Sequence, residues 1–312
     1  MYRRSLIFLV VSLAGLAAVY PVLNRQFAEQ KEAREGAVID PALQINYHKL
    51  MVELEASAAK FHGEAGILIK DLKSGQSIGI NEARLFPSAS LVKVPIMAVL
   101  YAAAEEGKLN LDDKIVLKRQ HKVRSCSKVY FSRVGTKWPV RELVERMITE
   151  SDNTATNMLV DTLGFGYINQ KFVEFGLKNT DLRRGVMDLA WRRAGIENYT
   201  TADDMAYVLE KIYRGELVSA KASAEMMAVL KRQKVNDRIP RGLPSDMTIA
   251  HKTGLLNDTV SDVGIVFTPE GNFIICVLTQ DIRSFRSAKR FIGKVAECAY
   301  DQCYKANKGD RI

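Results

Sequence analysis

Phe86-Pro87-Ser88-Ala89-Ser90-Leu91-Val92-Lys93-Val94-Pro95-Ile96-Met97-Ala98-Val99-Leu100 sets one lysine inside an otherwise apolar run. The run from Ser90 to Glu106 reads as a long buried helix, hence the centre of a fold. A buried amine is costly unless it is paired or neutral. Three residues of helical spacing put the Lys93 amine beside the Ser90 hydroxyl. Desolvation lowers a lysine pKa, so that amine can act as a base toward the hydroxyl. The helix start also favours negative charge developing on a bound oxygen. The plainer role for Ser90 is a helix cap.

Two further stretches match Ser-x-x-Lys, Ser57–Lys60 and Ser125–Lys128. Ser57 lies mid-helix with a solvated lysine, and Ser125 lies in a basic loop without apolar support. Farther along, Thr149-Glu150-Ser151-Asp152-Asn153 falls at a corner between two helices. It reads either as an N-cap run or as a proton-relay hydroxyl (Ser151) with a substrate-facing amide (Asn153). Ile249-Ala250-His251-Lys252-Thr253-Gly254 reads as a polar strand entry with a turn glycine. In a functional reading, Lys252 supplies positive charge, Thr253 a hydroxyl, and Gly254 room for a ligand backbone.

Outward from these motifs, Tyr47–Phe61 has helical spacing, and Ala65–Leu72 and Ser77–Ile80 read as strands around the turn Lys73-Ser74-Gly75-Gln76. Residues 108–137 are mixed and loop-rich. Val140–Glu150, Ala155–Leu163, Ile168–Phe175, Ala202–Arg214 and Ala220–Arg232 read as helices. Strands near Ser261–Phe267 and Phe273–Thr279 and a closing helix Ser284–Lys308 follow. Terminal segments on one sheet with a helical block inserted between them predict an α+β architecture of two lobes. A cleft between lobes is a usual place for a site.

Of 312 residues, 47% are hydrophobic and 26% charged, with 20 Gly and 8 Pro, which excludes collagen-like and low-complexity classes. The net charge is +9, concentrated in 114–146, 183–193 and 283–308. No nucleic-acid motif accompanies it, so no nucleic-acid partner is expected; an anionic envelope surface or small anionic substrate fits better. Four cysteines are too few for a disulfide scaffold. No Cys/His cluster has zinc spacing, so no metal and no cofactor are expected.

Met1-Tyr-Arg-Arg precedes an apolar run from Leu6 to Leu23. A basic start before such a run describes a signal sequence or membrane anchor over residues 1–23. Residues 24–44 read as a linker and 45–308 as the catalytic domain. Either N-terminal reading predicts export to the periplasm or another extracytoplasmic space, with membrane anchoring through 6–23 as one form.

Ser-x-x-Lys, Ser-Asp-Asn and Lys-Thr-Gly in this order are a known catalytic trio. Over residues 45–305 the chain resembles the class A serine β-lactamases and their penicillin-binding relatives. The spacings of 61 from Ser90 to Ser151 and 101 from Ser151 to Lys252 are similar to that family's. So are Ser151-Asp-Asn-Thr-Ala-Thr-Asn157, Glu197-Asn-Tyr-Thr-Thr-Ala-Asp-Asp-Met-Ala206 and Asp262-Val-Gly-Ile-Val266. The resemblance implies a β-lactamase/transpeptidase-like fold: an antiparallel sheet flanked by terminal helices, plus an inserted all-helical lobe. It implies that Ser90 is the acylated nucleophile, Lys93 its activating amine, and Ser151 the proton shuttle to the leaving nitrogen. Asn153 would hold the substrate amide, and Lys252 and Thr253 its carboxylate. The oxyanion hole would be the N–H groups of Ser90 and Leu255, just after Gly254.

The chain departs from the family in one loop. Class A enzymes carry there a Glu that positions the deacylating water, and an Asn four residues on. Matching the loop ends at Arg183 and Asn198 puts Gly185 at the Glu position and Leu189 at the Asn position. Asp188 is the nearest carboxylate able to substitute, or else a loop cap or a partner for a nearby arginine; Glu197 reads as structural. A second departure is the basic rim Val123–Arg133, with Cys126 near where an aromatic gate would stand. Together these predict a monomeric serine hydrolase that opens β-lactams through an acyl-enzyme on Ser90 and deacylates slowly. The alternatives are a penicillin-interacting peptidase or esterase on peptidoglycan-like substrates, and a β-lactam sensor module.

Overall fold

The computed structural model describes residues 41–305, so the expected signal or anchor, most of the linker and positions 306–308 expected at the end of the closing helix lie outside it. Among the described residues no helix is long and apolar enough to cross a membrane. Helix α1 (Pro41–Ala59) leads into strands β1 (Glu64–Asp71) and β2 (Ser77–Ile80). Strands β7 (Thr248–Leu256), β8 (Thr259–Phe267) and β9 (Phe273–Gln280) complete a five-stranded antiparallel sheet in the order β2-β1-β9-β8-β7. The last helix is α10 (Phe285–Cys303).

Both faces of this sheet are covered, which is why its central strands read as unbroken apolar runs. Leu68, Val263, Ile265, Ile274, Cys276 and Leu278 join the large core shared with the helical lobe. Their neighbours Ile67, Ile69, Ile275 and Val277 alternate onto the opposite face and are equally buried. On that face Phe291 of α10 stacks on Phe61 with ring centroids 4.3 Å apart.

The inserted lobe holds α2 (Lys93–Glu105), a ribbon of β4 (Lys114–Val116) and β5 (Lys137–Pro139) around α3 (Lys128–Phe131), and the helices α4 (Val140–Thr149), α5 (Asn153–Leu163) and α6 (Phe165–Glu174). A loop containing the five-residue α7 (Leu189–Arg193) follows, then α8 (Ala202–Tyr213) and α9 (Ala220–Lys231). Phe86–Pro87 (β3) and Tyr199–Thr200 (β6) form a two-residue clasp between the start of α2 and the end of that loop. Helix α2 is buried on every side from Lys93 to Ala103, as its apolar sequence requires.

Two sequence expectations need correction. The segment starting at Ser90 is not α-helical at first: Ala89–Val92 is a 3-10 turn and the α-helix begins at Lys93. Pro95 falls in that first α turn, where its missing N–H costs nothing. Lys252-Thr-Gly is not a strand entry but lies inside the nine-residue β7. Polarity hid the strand, because His251, Lys252 and Thr253 are buried through hydrogen bonds rather than through apolar contact.

Candidate active site

The serine of interest sits on the 3-10 turn, where three residues per turn bring Ser90 and Lys93 into eclipse. Ser88 occupies the cap position and makes no side-chain cap bond, so the plain cap role is not the one Ser90 plays. Lys93 is fully buried. Its Nζ donates to the Ser151 carbonyl at 2.8 Å, to Asn153 Oδ1 at 2.7 Å and to Ser151 Oγ at 3.2 Å. Among the described residues its hydrogen bonds all go to this turn, and none goes to Ser90. Burial pushes the Lys93 pKa down to about 7, while the Asp152 carboxylate pulls the other way.

The Ser151 corner is built by α5. Asp152 Oδ1 accepts from the N–H groups of Thr154 and Ala155 and caps that helix. Ser151 itself has φ 55°, a left-handed conformation that costs a non-glycine residue about 1–3 kcal/mol. This geometry turns both its carbonyl and its hydroxyl toward Lys93.

From the sheet, Lys252 Nζ donates to Ser151 Oγ at 3.0 Å and to the Thr253 carbonyl at 2.8 Å. Burial pushes the Lys252 pKa down, and the charges of Lys93 and Arg238 push the same way against Asp262. β7 is an edge strand. His251 and Thr253 offer their carbonyls to side chains (Gln233 Nε2 at 3.4 Å and Lys252 Nζ) rather than to β8. In an antiparallel strand every second residue faces the same edge, so the Leu255 N–H also faces outward, with its side chain exposed. Gly254 admits the Ser90 turn: a Cβ there would lie 3.3 Å from both Ala89 Cβ and Leu91 Cγ. The close approach seen here is of the turn that carries Ser90.

Sequence reading passed over Arg238, a lone loop arginine with no motif. The structure buries it to 2% exposure beside Lys252, its Nη1 on Asp237 Oδ1 at 2.7 Å and its Nε without a partner. His251 and Asp262 hold its flanks. His251 Nε2 meets Asn236 Oδ1 at 3.0 Å, His251 Nδ1 meets Asp262 Oδ1 at 2.9 Å, and the Ile239 N–H donates to Asp262 Oδ2 at 3.1 Å. Only burial distinguishes Arg238 from a surface arginine, and burial was not legible.

The 183–198 loop is pinned at both ends. Asn198 Oδ1 accepts from the N–H groups of Arg183 (2.7 Å) and Arg184 (2.9 Å). Glu197 is buried between Arg184 (2.5 Å) and Arg192 (2.6 Å). Breaking such a buried pair from one side costs about 3–5 kcal/mol, so Glu197 belongs to the loop's framework. Gly185 offers no carboxylate. Asp188 lies against it, its Cβ 3.8 Å from where a Cβ of residue 185 would stand. Asp188 Oδ1 caps α7 by accepting from the Trp191 N–H at 3.3 Å, and among the described residues Asp188 pairs with no arginine. Gly185, Asp188 and Asn157 share a groove of about 430 Å³; Asn157 stands one turn beyond Asn153 on α5. The other Ser-x-x-Lys pairs stand apart: Ser57 is on α1, and Ser125 bonds Ser127 Oγ at 3.1 Å.

A Beta-lactamase enzyme family model matches residues 49–303. The chain is 23% identical over 235 residues to the extended-spectrum beta-lactamase PER-1 of Pseudomonas aeruginosa, covering 71% of this chain and 76% of that one. It is 23% identical over 276 residues to beta-lactamase VEB-1 of the same organism, covering 83% and 91%. Among solved structures it is similar to a PBP-A mutant in acyl-enzyme complex with penicillin-G (28% identity, TM-score 0.76, 81% of this chain and 96% of that one). It is also similar to a beta-lactamase from Sphaerobacter thermophilus (29%, TM-score 0.75, 81% and 96%). A match over most of the folded chain, on the same α+β architecture, makes this protein a member of the beta-lactamase enzyme family and a serine β-lactamase-like hydrolase.

Proposed function

We propose that β-lactams acylate Ser90 rapidly and leave it slowly. The observation that carries this reading is the single hydroxyl, Ser151 Oγ, hydrogen-bonded to two buried lysines from opposite lobes. Neutral Lys93 takes the Ser90 proton as Oγ attacks the lactam carbonyl. The oxyanion is met by the N–H groups of Ser90 and Leu255. As the C–N bond breaks, the nitrogen takes the Ser151 proton, which Lys93 replaces. Lys252, Thr253 and the buried Arg238 face the substrate carboxylate with positive charge and a hydroxyl, and Asn153 holds its side-chain amide.

Hydrolysis of the resulting ester needs a water and a positioned general base. Glu197 is tied to two arginines and Gly185 has no side chain, so Asp188 is the carboxylate left to serve, from a capping position. The same feature favours a second reading, a penicillin-interacting peptidase or esterase on peptidoglycan-like substrates, to which the likeness to PBP-A adds support. The apolar run 6–23 supports an exported domain, periplasmic or otherwise extracytoplasmic.

Nitrocefin turnover combined with intact-protein mass spectrometry tests the proposal. A burst of one equivalent, then a slow phase with a persistent adduct on Ser90, is the expected result. Fast steady turnover without adduct would overturn the slow step, and no adduct at any time would overturn the nucleophile.

A further inference from the structure

Residues 114–141 contain nine Lys or Arg and no Asp or Glu. They form the β4–β5 ribbon, with Lys114 opposite Pro139 and Val116 opposite Lys137. The Gly135 N–H donates to the Leu117 carbonyl, which folds the 133–136 turn back beside β4. Leu117, Val129 and Trp138 anchor the ribbon in the core. Its outer side carries Phe131, 70% exposed, and Val134, 55% exposed.

In the same segment, Lys114, Arg119, Arg124, Lys128, Arg133 and Lys137 are all exposed. None of the six has an ion-pair partner among the described residues. By contrast Lys118 is paired with Asp161, Arg141 with Glu225 and Asp112, and the Lys122 amine donates to the Ser132 carbonyl. Lys128 leans over the Trp138 ring at 5.7 Å without losing its exposure. One exposed phenylalanine is ordinary. An exposed Phe and Val three residues apart, in a segment of exposed unpaired cations with no acid, match the composition of surfaces that rest on anionic bilayers.

We propose that this ribbon docks on an anionic phospholipid surface, Phe131 and Val134 entering the headgroup region and the six cations facing lipid phosphates. None of the six cations is among the hydrogen-bond partners of Lys93, Ser151 or Lys252. The six are strung along the segment from Lys114 to Lys137, and none of them lines the grooves around Tyr101, Asn110, Asn157 or Phe285. Charge complementarity therefore selects an extended anionic surface, and the apolar pair selects one with a hydrocarbon layer beneath it.

Cys126 supplies the probe, being the one exposed cysteine of the four and lying within the ribbon. The full chain, labelled there with an environment-sensitive thiol reagent, is mixed with phosphatidylglycerol vesicles or with phosphatidylcholine vesicles. The proposal requires a blue shift with the anionic vesicles alone, lost near 0.5 M salt, where the screening length is about 4 Å. Arg133→Glu and Lys137→Glu should each weaken the partition at least fivefold, since one cation near such a surface is worth about fivefold. Phe131→Ser should diminish the blue shift. Penicillin labelling of Ser90 in the same variants reports that they are folded. Vesicle binding with an unshifted Cys126 probe would overturn the docking face, since another segment would then be the anchor. A response to a soluble polyanion but not to anionic vesicles would overturn the bilayer in favour of an anionic polymer.

Discussion

The Ser90–Ser151–Lys252 region and the 183–198 loop are built by opposite rules. In the first, every polar atom of Lys93 and Lys252 is matched to a partner at 2.7–3.2 Å, and both amines are held out of water. In the second, the buried carboxylate Glu197 is paired with two arginines, and Gly185 carries no side chain against Asp188. In the proposed reaction the two half-reactions draw on different segments of chain, so such a site is complete for making an ester and incomplete for breaking one.

The contrast is broken most decisively at Ser90. Ser90→Ala should abolish covalent labelling by any penicillin, read by intact mass, while Ser57→Ala and Ser125→Ala label normally; surviving label in Ser90→Ala would move the nucleophile elsewhere. Lys93→Met should slow acylation in stopped-flow by about 10²–10⁴-fold, the usual contribution of a general base. Gly185→Glu sharpens the comparison from the other side. A side chain there meets nothing closer than Asp188 Cβ at 3.8 Å, so the variant should fold and speed deacylation on the order of 10²-fold. An unchanged deacylation rate would show that the loop does not face the acyl-enzyme.

Smaller effects follow. With the Lys93 pKa near 7, the amine is neutral and basic above that pH and protonated below it. Acylation should therefore fall about tenfold per pH unit below 7 and level off above it; a flat profile between pH 5 and 8 would remove Lys93 as the base. Asp188→Asn should lower the slow phase only a few-fold, since its carboxylate caps α7. No change would make Asp188 a cap and nothing more.

What the sequence disclosed and what it withheld divide along physical lines. The apolar run around Lys93 announced a buried helix, and Ser77–Ile80 was read to the residue because alternation and a Gly75 turn bound it. The interior of β7 was missed because burial by hydrogen bonding leaves no apolar pattern. Helix α7 was missed because five residues carry too little periodicity. The spacing of Ser90 and Lys93 suggested that the amine lies beside the Ser90 hydroxyl; the hydrogen bonds of that amine to Ser151 and Asn153, 58 and 60 residues on, left no mark in the spacing. Arg238 had no local mark at all, since its environment is made by β7, β8 and α10 only once they pack together.

The three acceptors around Lys93 count its protons. An ammonium has three N–H donors, and all three find partners here. A neutral amine has two, so one contact must lapse or reverse, and the 3.2 Å contact to Ser151 Oγ is the longest. With Lys93 charged, both lone pairs of Ser151 Oγ accept, from Lys93 and from Lys252, and its own proton must point away from both amines. With Lys93 neutral, that proton can swing back toward the amine. In the proposed reaction that hydroxyl works like a railway switch, its direction set by whether the neighbouring lysine carries its third proton.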